Sequence, residues 1–170
     1  MKTFLFGLIL FLSAPLLQAQ QPLKSKDELA ALLTMALQNN DRSMLDFAYV
    51  PSNIMWATTE AISGVAGQAP PAQKEVEAAY PDMKDRSMLT YNELLNIVSR
   101  RQLVLPTLRL KGVQYKSMLP ATTQLDGGMM KLEWEAEDAQ GITQTLVAQV
   151  DVLMWEGHWH WVGEFSQPRD

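Results

Sequence analysis

His158 and His160 stand two residues apart, the spacing that puts both imidazoles on one face of a β-strand. With Glu164 or Asp151 beside them they have the chemistry of a zinc-type site. A structural zinc centre needs four protein ligands, and a histidine pair at a hairpin tip is ordinarily solvated surface, so no metal or cofactor is implied. Glu133, Glu135 and Glu137 repeat with the same period. Such a row binds a cation or a basic partner, or is simply a charged face that keeps a strand from pairing with other chains. Arg100-Arg101 reads as a pair of cations complementing a helix C-terminus. Trp134, Trp159 and Trp161 offer the aromatic wall of a small-molecule pocket, or the filling of a core. There is no Ser/His/Asp spacing, no phosphate-cradling glycine loop and no His-x-x-x-His pair.

The element that positions most of these residues is the stretch Thr143–Phe165. A two-residue turn at Glu156-Gly157 pairs Met154 with Trp159, Val152 with Trp161, Val150 with Gly163 and Ala148 with Phe165, all on one face. Leu153, His158, His160 and Val162 then fall on the other. Before it, Met130, Leu132, Trp134 and Ala136 alternate with charged residues, so one side of that strand is wet. A three-residue loop with Gly141 left-handed keeps Ile142, Leu146 and Ala148 on the face of Leu132 and Trp134. Pro120–Gly128 reads as a loop. Val113, Tyr115 and Ser117 form an earlier strand, preceded by an irregular edge segment around Pro106.

The first half of the chain has helical periodicity. Ser25-Lys26-Asp27-Glu28 has capping-box spacing, and Leu29, Leu32, Leu33, Ala36 and Leu37 make one apolar stripe. Asp41 caps a second, short helix that stops before Pro51. Thr58–Ile62 and Lys74–Tyr80 read as helical, the latter closed by Pro81, and a further helix runs from Asp85 to Gln102. Asp-Arg-Ser-Met-Leu occurs at 41–45 and again at 85–89. The flanks diverge at once, so the match reads as two helix starts rather than a duplicated unit. The predicted fold class is α+β, with N-terminal helices packed on a curved antiparallel sheet of about four strands.

Bulk properties bound the function. The 170 residues are 47% hydrophobic, carry a formal net charge of -5 and include no cysteine. That suffices for one domain with a proper core, argues against nucleic acid or an anionic membrane surface as partner, and excludes disulfide scaffolds and thiol chemistry. Lys2, the apolar run Phe4–Leu17 and Leu17-Gln18-Ala19 have the layout of a cleaved signal peptide over residues 1–19. A single α+β domain over 20–170 follows, with flexible ends about 20–26 and 166–170. The apolar run is short of the roughly 20 residues a spanning helix needs. The expectation is a periplasmic or secreted protein with no membrane span after cleavage.

Helices first, then a meander of long strands closing on a tryptophan-bearing strand, resembles the nuclear-transport-factor-like (cystatin-like cone) superfamily. The resemblance is carried by Ala36-Leu37-Gln38-Asn39-Asn40-Asp41 through Tyr49-Val50-Pro51, and by Trp155-Glu156-Gly157-His158-Trp159-His160-Trp161-Val162. It implies a pocket, often apolar, between helices and sheet, and dimers formed through the sheet's outer face. Enzymes of this kind place acids, histidines or tyrosines inside the pocket. Here the inner face holds Leu132, Trp134, Leu146, Val150, Val152, Met154, Trp159, Trp161 and Phe165, with no carboxylate or histidine, so general acid–base chemistry lacks its groups and no catalytic residue is assigned. Trp56, Tyr91, Trp134, Met154, Trp159 and Trp161 are the candidate pocket residues. The leading expectation is a non-enzymatic exported binding module for a small apolar molecule. The alternative is a protein-interaction module, an envelope assembly or immunity factor, that docks a protein or a second copy through Leu153, His158, His160 and Val162.

Overall fold

Ser25 begins the ordered helical half. In a computed structural model that describes residues 22–119 and 125–167, its hydroxyl accepts the Glu28 N–H at 3.1 Å and α1 runs Lys26–Asn39. The Glu28 carboxylate accepts the Lys24 N–H at 2.6 Å, one residue earlier than in a regular capping box. The predicted stripe is buried along its whole length. Asn40 ends the helix at φ 49°, a left-handed conformation that asparagine tolerates. Asp41 caps α2, Arg42–Ala48, by accepting the Ser43 N–H at 2.9 Å. Pro51 then precedes α3, Ser52–Val65. The signal-peptide expectation falls on residues outside those described.

One helix, α4, occupies Gln73–Arg100 with Pro81 inside it. The sequence predicted two helices separated at that proline. A proline in a helix interior forfeits a hydrogen bond and costs about 3 kcal/mol. Pro81 and Glu77, four residues before it, are both exposed, so the lost bond falls on the solvent side of the helix. Tyr80 anchors this turn by donating to the Val50 carbonyl at 2.8 Å. The second Asp-Arg-Ser-Met-Leu therefore lies mid-helix, and only the first copy starts one.

A 3-10 turn at Leu105–Thr107, holding Pro106, leads to four antiparallel strands in the order β1-β2-β3-β4: β1 Arg109–Ser117, β2 Leu125–Glu137, β3 Thr143–Trp155 and β4 His158–Ser166. Asp126-Gly127-Gly128 belongs to β2, not to a loop as its composition suggested. A Cβ on Gly128 would collide with the Lys116 carbonyl, so glycine marks a close approach of β1. Between β2 and β3, the Asp138 N–H donates to the Ile142 carbonyl at 2.9 Å, leaving a three-residue loop with Gly141 at φ 79° as predicted. Ile142 itself lies in this turn, 61% exposed, rather than in the core.

The fold is α+β, with the helices packed against one face of a curved four-stranded sheet. Leu29, Leu33 and Leu37 of α1 and Met88 and Tyr91 of α4 meet Met130, Leu132, Trp134, Leu146 and Trp161 of the sheet in one core. Among the described residues no helix is long and apolar enough to cross a membrane.

Candidate functional site

At the tip of the β3–β4 hairpin, Glu156 at φ 49° and Gly157 at φ 79° form the two-residue turn that matches strand twist. Met154 faces Trp159 and Val152 faces Trp161, as predicted. Farther from the turn the register departs. Val150 faces Phe165 rather than Gly163, and Ala148 has no β4 partner. Between Trp161 and Phe165, β4 holds three residues where β3 has only Asp151. The excess is even, so Phe165 keeps its inward direction. The bulge centres on Gly163, where a Cβ would lie 2.6 Å from the Asp151 Cβ. The Phe165 N–H, turned away from β3, donates to the Thr90 hydroxyl of α4 at 2.8 Å.

The pocket candidates divide by burial. Trp134, Trp161 and Tyr91 are buried almost completely and Trp159 is 8% exposed. Trp56, on α3, and Met154, at the hairpin tip, are partly buried against the core. Trp134 donates its indole N–H to Thr34 at 2.9 Å, and Thr34 donates to the Ala30 carbonyl at 2.7 Å, a closed chain of satisfied groups. Tyr91 donates to the Ala36 carbonyl at 3.1 Å. Burial, and next the charge on Asp41, pushes its phenol up to about 12. Trp161 packs edge-on against Tyr49 with ring centres 5.2 Å apart, yet among the described residues its indole N–H has no hydrogen-bond partner.

The outer-face candidates are less exposed than the register implied. Leu153 is only 3% exposed. Leu119 folds back beside it, since both leucine Cδ1 atoms crowd the open side of Gly127. His158, His160 and Val162 are partly buried. Burial, and next His158, lowers the His160 pKa from its ordinary value. Burial, and next Glu164, raises that of Asp151. Among the described residues no three His, Asp or Glu side chains gather as a metal-binding set. Glu135 of the carboxylate row pairs with Lys111 at 3.0 Å.

The sequence reading missed a polar group on the inner face. Asp126 faces Met154 there, and its Oδ1 accepts the Tyr115 hydroxyl at 2.7 Å and the Ser117 hydroxyl at 3.1 Å. The Lys26 ammonium lies 4.2 Å from the Tyr115 ring centre and 5.2 Å from that of Trp159. The signal was the Tyr115–Ser117 alternation, which aims at whatever strand lies opposite. It went unused because Asp126 was assigned to a loop. Burial, and next the bond to Asp126, pushes the Tyr115 phenol up to about 12, so near neutral pH it serves as a fixed hydrogen-bond donor rather than a proton shuttle.

A separate cleft of about 310 Å³ opens between α4 and the end of β4, lined by Glu93, Leu94, Ile97, Ala148, Glu164 and Phe165 among others. None of the six predicted pocket residues lines it.

Fold and site thus define a class, an α+β protein with a filled core between its helices and one face of a four-stranded sheet. No protein-family model, no curated protein and no solved structure matches the chain.

Proposed function

We propose that the chain is an exported, non-enzymatic protein-interaction module of the nuclear-transport-factor-like kind. Helices followed by a four-strand meander support the kinship. One observation carries the functional choice: Trp134 and Trp161, expected to line a pocket, are fully buried among the chain's own side chains. What remains for recognition is surface. The partner, a second copy in the first instance, docks on the outer sheet face through Val162, His158 and His160, with Trp155 beside them. Leu153 backs this patch from beneath Leu119.

Sedimentation velocity of the mature chain tests this. A dimer is expected, and Val162→Glu, which puts a charge on a partly exposed position, should shift it to monomer while the circular dichroism spectrum is unchanged. A dimer that survives Val162→Glu, or a wild-type monomer at every concentration, removes the outer-face reading. The alternative, a carrier of a small apolar molecule, is favoured by the unpartnered indole N–H of Trp161, which a ligand acceptor would satisfy. Native mass spectrometry of protein from its own host that returns only the bare chain mass rejects it.

A further inference from the structure

Among the described residues, one stretch of the sheet edge has a single arginine side chain as its cover. Pairing between β3 and β4 ends at Gln149 and Ser166, so Thr143–Ala148 pairs with β2 alone. Strand backbone groups alternate in direction. Trp155 and Leu153 face β4, so Val147, Thr145 and Thr143 present their N–H and C=O groups to the same side, where no strand lies among the described residues. The Thr145 carbonyl confirms the direction by accepting Arg101 Nη1 at 3.1 Å. Among the described residues, nothing meets the Thr145 N–H or either backbone group of Val147.

The acidic cleft lies against this edge. Ala148, at the end of the stretch that pairs with β2 alone, lines the cleft, and Leu146 is the next inward residue. A strand added alongside would send alternate side chains toward the inner side, over Ile97 and Leu94 of α4. Glu93 and Glu164 also line the cleft, and neither carboxylate has a hydrogen bond or ion pair among the described residues. A second copy pairing through the same edge is poorly suited as occupant, because its Thr-Gln-Thr-Leu-Val brings no cationic side chain to these two carboxylates.

We propose that Thr143–Val147 accepts an extended segment of a partner protein as a fifth strand, and that the segment carries a lysine or arginine where it faces Glu93 and Glu164. Main-chain hydrogen bonds supply the affinity and the inward side chains the selectivity, as in other strand-addition complexes. The incoming strand displaces Arg101 from the Thr145 carbonyl. This surface differs from the outer face, so its failure and that of the outer-face reading are separable.

The test is titration of the ¹⁵N-labelled mature chain with the blocked heptapeptide Thr-Val-Thr-Lys-Thr-Val-Thr, its twin with glutamate at the centre, and the lysine peptide N-methylated at alternate amides. The amide signals of Thr145 and Val147 should move with the lysine peptide, which binds about tenfold tighter than the glutamate twin. The N-methylated peptide, unable to donate along the edge, should not bind. Glu93→Gln with Glu164→Gln should reduce the lysine preference to near unity while binding persists. Equal affinity of the twins, unmoved Thr145 and Val147 signals, binding of the N-methylated peptide, or self-association perturbing the same amides would overturn the proposal.

Discussion

The free edge of β4 and the open stretch of β3 are parts of one boundary, and the chain treats them in opposite ways. Along β4 three outward backbone groups have partners from other elements. The Trp159 N–H meets the Leu23 carbonyl at 2.7 Å, the Trp161 carbonyl takes the Val50 N–H at 2.9 Å, and the Phe165 N–H meets Thr90. Along Thr143–Val147 a single arginine side chain is the only cover among the described residues. The opposite edge, β1, is guarded in another manner, by Arg109, Lys111 and Lys116 and a register shift between Leu110 and Gly112. Charge and bulges of this kind discourage pairing with other chains. The open stretch, Thr-Gln-Thr-Leu-Val, has no charge, no proline and no bulge. The contrast singles out the open stretch as the place for the proposed contact.

That contrast ranks substitutions. Gly128→Ala, at the fully paired seam of β1 and β2, drives a methyl into the Lys116 carbonyl and should cost about 3 kcal/mol or more in urea denaturation. Thr90→Val, at the covered edge, orphans the Phe165 N–H and should cost roughly 1–3 kcal/mol. Thr145→Val, at the open edge, should change stability by no more than about 0.5 kcal/mol. Hydrogen exchange should follow the same order, with the Phe165 amide protected and the Thr145 amide fast. If Thr145→Val proves as costly as Thr90→Val, the two edges are alike and the contrast fails.

The smallest effects are pH-dependent and opposite in sign at Asp138, between β2 and β3, and at Asp151, within β3. Asp138 accepts the Ile142 N–H, and that bond first of all lowers its pKa below 3.8. Its contribution is present above 3.8 and lost as pH falls through the lowered value. Asp151 has a pKa raised above 3.8 by burial and then by Glu164. Its contribution is present below 3.8 and lost as pH rises through the raised value. Asp151→Asn should therefore be slightly more stable than wild type at neutral pH, by about 0.5 kcal/mol at most, with that gain vanishing in acid. A gain that grows toward low pH would show the sign to be wrong.

Much of this architecture was legible in local pattern. The apolar stripe from Leu29 to Leu37, the Glu156-Gly157 turn and the three-residue loop before Ile142 each combine a periodicity with a residue suited to one backbone conformation. What escaped depends on distant neighbours. Asp126-Gly127-Gly128 has loop composition, but its glycines answer to the backbone of β1. Pro81 has the form of a helix stop, yet Tyr80 reaches Val50 and the turn holds. The β4 bulge brings Gly163 so close to Asp151 that only a glycine fits there, and no period reveals that approach. The candidate site fared less well than the fold. The pairing of Leu153 with His160 and of Trp155 with His158 follows from the turn, but the cover over Leu153 and the polar cluster at Asp126 were not visible before β1 and β2 were aligned.

The covering of β4 also governs how the chain reaches its native state. Leu23, Val50 and Thr90 lie far from the residues they cover, so the last strand can close the sheet only after most of the chain has assembled. Contacts of such long sequence separation make for slow folding. Until that closure, the uncharged run Thr143–Val150 is exposed along its full length and has the composition of a segment prone to intermolecular pairing. Refolding yield should therefore fall with protein concentration, and the aggregates should nucleate in β3.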